Sequence, residues 1–152
     1  MKAFFMVIFV LLSQINHAQE QSDVDAIKSL IQSIADAVEL KNGQAVIDAF
    51  IHPSALIYSV FQGQSENTFS PARNTAKGLA DFIDSTSKSI TQKFTNIQVA
   101  MISSGRAIAT THYQVTVDGS GSHQGDEYYT LVKTNAGWKA ISLSFTVERY
   151  ST

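Results

Sequence analysis

The sequence has no cysteine among its 152 residues, which excludes disulfides, thiolate-bound metal and lipid attachment through an N-terminal cysteine. Its 4 histidines never fall at HxH, HxxxH or HExxH spacing, so no metal site is expected. No GxSxG is present, and with it goes the nucleophile elbow of a serine hydrolase. An excess of positive charge is missing too. The formal net charge is −2, and such a chain has no electrostatic reason to bind nucleic acid or anionic lipid. No repeat, low-complexity tract or linker interrupts residues 19–152. What is left is one domain of ordinary size, held by packing and hydrogen bonds alone.

Long apolar runs are confined to the N-terminus. MKAFFMVIFVLLSQINHAQ carries one cation, Lys2, then apolar residues from Ala3 to Leu12, then polar ones. The run is too short for a mature membrane span and has no polar face, which is the pattern of a signal peptide. Cleavage near Ala18 is expected, leaving an exported chain, periplasmic or secreted, that starts at Gln19 and has no membrane segment. Lys2 leaves with the signal, so the mature chain holds 10 basic and 13 acidic side chains.

From Asp23 to Leu40 the apolar residues Val24, Ile27, Leu30, Ile31, Ile34 and Val38 fall at helical spacing. Ser22 or Asp23 is expected to cap this helix and Asn42-Gly43 to end it. A shorter helix is expected over Gln44–Ile51 with Val46, Ile47 and Phe50 inward, closed by Pro53. LIYSVF, 56–61, reads as a strand, and Asn74-Thr75 as the start of a third helix with Leu79, Phe82 and Ile83 inward. The runs 97–102, 107–117, 128–134 and 138–147 are β-branched and aromatic, and are expected to be strands. Helices first and a sheet last define an α+β domain. Between two of these strands lies GSGSHQG, residues 119–125. A phosphate loop needs a helix start after its glycines; a strand follows here, so the stretch is expected to be a hairpin tip.

The order helix, short helix ending in Phe50, His52, Pro53 and Ala55, strand, helix, then aromatic strands with Tyr128–Lys133, the turn Asn135–Gly137 and Trp138-Lys139 resembles the nuclear transport factor 2-like superfamily. It is most similar to the exported SnoaL-like and lumazine-binding-like branches. The sequence departs from that pattern in Ser54, where an acid is common, and in Ala140, where a larger aliphatic is usual. The resemblance implies a cone, in which a strongly curved antiparallel sheet wraps around three N-terminal helices and leaves a pocket open at one end. Such pockets serve hydratases, isomerases or cyclases, serve as plain binding sites, or serve neither, so the fold leaves activity open.

An enzyme of this type needs an acid or base in apolar surroundings beside a hydrogen-bond donor. His112 is one candidate, although alternation puts Thr111, Tyr113 and Val115 on the more apolar face and His112 outside. Asp126 is a second, but Asp126 and Glu127 at the base of a hairpin read as a solvated edge. His123 at the tip is expected in solvent, and His52 is expected to close a turn. Tyr58, Phe61, Tyr113, Tyr128, Tyr129 and Trp138 form an aromatic set that packs the core and sheet, and of these Tyr58, Phe61, Tyr113, Tyr128 and Trp138 are the candidates for a pocket wall. Ser142 and Ser144 join them if the small face of the last strand is the inner one, a choice that a bulge would reverse. The shortage of acid–base pairs favours a non-catalytic domain that binds a small apolar or aromatic molecule without a cofactor. The alternatives are a cofactor-free, dehydratase-like lyase or isomerase, and a ligand-free module that dimerises through its sheet.

Overall fold

The computed structural model describes residues 2–62 and 69–150, with side chains described for residues 19–61 and 72–150. The elements run α1 (Lys2–Glu39), α2 (Gly43–Ala49), β1 (Leu56–Gln62), β2 (Phe69–Thr75), α3 (Ala76–Ser85), β3 (Ile90–Ser103), β4 (Arg106–Val117), β5 (Ser120–Thr134) and β6 (Gly137–Arg149). The six strands form one sheet in the order β2-β1-β6-β5-β4-β3. All neighbours are antiparallel except β1 and β6, which pair in parallel. The α+β cone is the observed architecture, with a mixed, curved and unclosed sheet.

Irregularities in the ladders bend the sheet. Register shifts fall at Thr95/Gln98 and Met101/Ser103 in β3, opposite Val115/Thr116, where Ser122 of β5 is the extra residue, and opposite Thr130/Leu131, where Ile141 of β6 is; Asn96 takes φ 57° in the first of them. Each extra residue adds local twist and turns the strand toward the helices. The extra residue in β6, Ile141, decides which residues of that strand face inward. Trp138 and Ala140 are buried before it, and Leu143 and Val147 after it, while Ile141 is left exposed. Ala140 touches the Phe50 segment, and its carbonyl accepts from Ile51 N at 2.9 Å; a small side chain suits this close approach.

The helical boundaries differ from expectation in instructive ways. α1 does not begin at Ser22 or Asp23; its backbone is helical from Lys2. The side chains of the expected signal segment, 1–18, lie outside the described residues. Asp23 is no cap but a buried anchor. Its Oδ1 accepts from Trp138 Nε1 at 3.0 Å and from Lys133 Nζ at 2.6 Å. That binds α1 to β5 and β6 at the end of the core built on Ile27, Ile31, Val46, Leu131 and Ala140. The Lys133 hydrogen bond holds the Asp23 carboxyl below its ordinary range, against the opposing effect of burial. Asp23→Ala strands the buried indole N–H, at a cost of about 1–3 kcal/mol. Urea denaturation is expected to show that loss, and Asp23→Asn, which keeps an acceptor, should lose less.

α1 turns off at Lys41, which takes φ 53°, so the left-handed position falls two residues before the glycine expected to hold it. Asn42 instead caps α2, its side chain accepting from Ala45 N at 3.0 Å. Gly43 opens α2 because a Cβ there would lie 2.7 Å from the Ala80 carbonyl oxygen. Thr75 caps α3, accepting from Gly78 N at 3.1 Å. Phe82, expected inward, is 52% exposed; Ala76, Ala80 and Ile83 form the buried side of α3. β2 was not legible in its polar FSPARNT sequence; it is an edge strand that only β1 pairs. His52 closes its turn as expected, its Nδ1 accepting from Ser54 N at 3.1 Å.

Candidate active site

The glycine-rich stretch is a hairpin, with a shorter tip than expected. Asp118 and Gly119 alone form the turn, at φ 52° and 80°, the pairing that a two-residue turn between twisted strands requires. β5 already begins at Ser120 and pairs with β4 down to Arg106↔Val132. His123, Asp126 and Glu127 are therefore strand residues, and alternation sends them to different sides.

Glu127 points inward, in phase with Tyr129 and Leu131. It is 4% exposed, which corrects the expected solvated edge. Its carboxylate accepts from the Tyr129 hydroxyl through one oxygen and from Gln92 Nε2 at 2.7 Å through the other. Burial raises its pKa to about 7 from 4.5, with the Tyr129 and Gln92 hydrogen bonds opposing the rise. Tyr129 is raised well above its usual range by burial, by the Glu127 charge and by its bond to that carboxylate. Around neutral pH the pair is a carboxyl poised to take or give a proton beside a phenol that keeps its own.

Both groups line a cavity of about 650 Å³, a size that suits a small organic molecule. Ile34 and Val38 of α1 and Ile83 of α3 close it on the helical side, and Leu143, Phe145 and Val147 of β6 on the sheet side. Tyr113 stands on the wall with its hydroxyl donating to the Thr146 carbonyl at 2.7 Å. Burial, then the nearby charges of Glu127, Glu148 and Asp126, raise its pKa, so its hydroxyl stays protonated. His123 also lines the cavity, which overturns its expected place in solvent. Its ring meets Tyr113 edge-on at 5.7 Å, and burial, with the Arg149 charge adding to it, lowers its pKa. Arg149 and Tyr150 complete the rim.

The structure divides the residues singled out from the sequence. Phe61 and Tyr113 line the cavity. Trp138 is buried in the core against Asp23. Tyr58, Ser144 and Tyr128 stand in register across β1, β6 and β5. Both tyrosines are exposed there, so this is the outer face, and Ser142 shares it. The small face of β6 is thus the outer one. His112 and Asp126 are outside too, paired with each other at 3.0 Å. The sequence reading missed Gln92 and Arg149 as lining residues, weighed Glu127 only as part of a solvated edge, and counted Tyr129 only among the aromatics. A signal for Glu127 did exist, because an inward phase set by Leu131 and Tyr129 carries Glu127 inward with them.

No family model and no curated protein matches the sequence. Solved structures do match. A nuclear transport factor 2-like protein with a cystatin-like fold from Novosphingobium aromaticivorans superposes with a TM-score of 0.72 at 16% identity, covering 93% of this chain and 92% of that one. A provisionally assigned scytalone dehydratase from the same organism gives 0.68 at 13% identity, over 90% and 93%. A provisionally assigned dehydratase of the nuclear transport factor 2-like family from Streptomyces avermitilis gives 0.65 at 14%, over 86% and 99%. The chain has the nuclear transport factor 2-like fold, as its sequence resemblance implied. At these identities the likeness speaks for the fold alone.

Proposed function

We propose that the cavity is the active site of a cofactor-free lyase or isomerase of the dehydratase type, acting on a small, largely apolar carbonyl compound. The observation that carries this reading is Glu127, a buried carboxyl with its pKa near neutrality, held by a tyrosine hydroxyl and an amide inside an apolar pocket. A group so placed is matched to abstracting a proton from carbon next to a carbonyl. Glu127 takes that proton, and the electron pair left on carbon enters the carbonyl to form an enolate. In an isomerase the proton returns at another carbon. In a dehydratase the enolate expels the β-hydroxyl, Glu127 hands its proton to the leaving oxygen, and water departs. Either way Glu127 ends as it began, and no redox partner is needed. Two of the similar structures carry provisional dehydratase assignments, which accords with this class. The export expected from residues 1–18 stays part of the reading.

Proton exchange tests it without knowledge of the substrate. With 2-tetralone in D2O, nuclear magnetic resonance is expected to show exchange next to the carbonyl faster with protein than in buffer alone. The rate should rise with pH through about 7 as Glu127 becomes carboxylate. If the ketone binds and no exchange exceeds the buffer rate, the chain returns to the non-catalytic binding reading.

A homodimer through the outer face of the sheet is a second, compatible proposal. Tyr58, Tyr128 and Ile108 are exposed there, at 38%, 46% and 44%, and large side chains clustered on one sheet face favour self-association. Sedimentation at micromolar concentration should give a dimer for the native chain and a monomer for Tyr128→Lys. A native monomer would remove this proposal and leave the cavity untouched.

A further inference from the structure

We propose that the cavity selects elongated apolar monoanions, such as aromatic carboxylates, binding the anionic end at Arg149 and presenting the far end to Glu127. This rests on the reading of Glu127 as the acid–base group, and adds the class and direction of its ligand. Among the described lining residues Glu127 and Arg149 are the charged ones outside the histidine, one buried and one at the rim. They lie on the same β5–β6 ladder. Glu127 is in register with Phe145 and Arg149 with His123, so the two charges are four residues apart along it, roughly 13 Å of strand.

The space between them is apolar, walled by Val147, Phe145, Tyr113 and Val115. Arg149 makes no ion pair among the described residues, and alternation turns its neighbour Glu148 to the other face. Burial lowers the His123 pKa and the Arg149 charge adds to it, so the guanidinium lies close to that imidazole. Arginine presents paired N–H donors that match a carboxylate. Glu127, ionised above neutrality, repels the same group. The two together impose a direction, because an anion entering head first meets a like charge in an apolar wall. A ligand of aromatic-acid length spans the interval; a small inorganic anion gains only the rim contact.

Calorimetry on the full chain at pH 8 and low salt, with 2-naphthoate and 2-naphthamide as probes, tests the inference. The carboxylate is expected to bind about 10-fold more tightly than the amide. Arg149→Gln should erase that preference by weakening carboxylate binding, whereas Arg149→Lys should keep part of it. Equal affinities, no binding of either probe, or a preference that survives Arg149→Gln would each overturn it. Exchange into 2-tetralone, which carries no charge, is read separately. If exchange persists while the preference is absent, the anion inference alone fails. If the preference stands but exchange is absent, the acid–base reading is what fails.

Discussion

Glu127→Gln is expected to lower protein-dependent proton exchange into 2-tetralone by about 10³-fold, the scale of one lost general base. The amide keeps the shape and can still accept from the Tyr129 hydroxyl, so the protein should remain folded and keep its affinity for the neutral probe. That separation matters, because loss of rate with retained binding assigns the effect to proton transfer rather than to the cavity.

The same variant carries a pH signature in stability. Unfolded Glu127 releases its proton near 4.5, and folded Glu127 holds it to about 7. Between these values the folded chain binds more protons than the unfolded one, so raising the pH destabilises it. The cost is absent below pH 4.5 and complete above about 7, and amounts to about 3 kcal/mol. His123, with its pKa lowered, contributes in the opposite direction as pH falls below its unfolded value. The comparison is therefore between variant and native chain, where His123 cancels. Urea denaturation from pH 4 to pH 8 should show Glu127→Gln gaining about 3 kcal/mol on the native chain as pH rises. A constant difference across that range would mean that the carboxyl is not desolvated.

Gly125→Ala is expected to cost about 3 kcal/mol, at the upper end of what one added methyl does in packed surroundings. A Cβ at 125 would run into the Thr146 carbonyl oxygen and lie 2.8 Å from the Thr146 carbonyl carbon. These are backbone atoms, so relief requires β5 and β6 to separate. Separation would break the Tyr113 hydroxyl bond to that carbonyl and shift Glu127 two residues on, so exchange into the ketone should fall as well. Gly119→Ala in the same glycine-rich stretch is the control. Its Cβ would meet nothing, and only its φ of 80° resists substitution, at about 1 kcal/mol. Similar losses for the two variants, by urea denaturation, would contradict this account of Gly125.

Periodicity reached the local level well. The apolar stripe Ile27, Ile31, Ile34 is the buried side of α1, Thr75 starts α3, and Thr111, Tyr113 and Val115 are the inward set of β4. These follow from residues within one or two turns of each other, so the sequence alone determined them, together with the hairpin after Val117 and the α+β class. It did not determine where Asp23 goes, because its partners Lys133 and Trp138 lie more than a hundred residues away. Nor did it determine the inner face of β6, which hangs on a one-residue shift against β5. Glu127 shows the difference most sharply. Its neighbours in sequence, Asp126 and Gly125, suggest a wet hairpin base. Its neighbours in space, Tyr129, Gln92 and the apolar cavity, remove water from it and carry its proton affinity toward neutrality. Desolvation depends on everything that surrounds a group, and only the curved sheet packed against the helices supplies that.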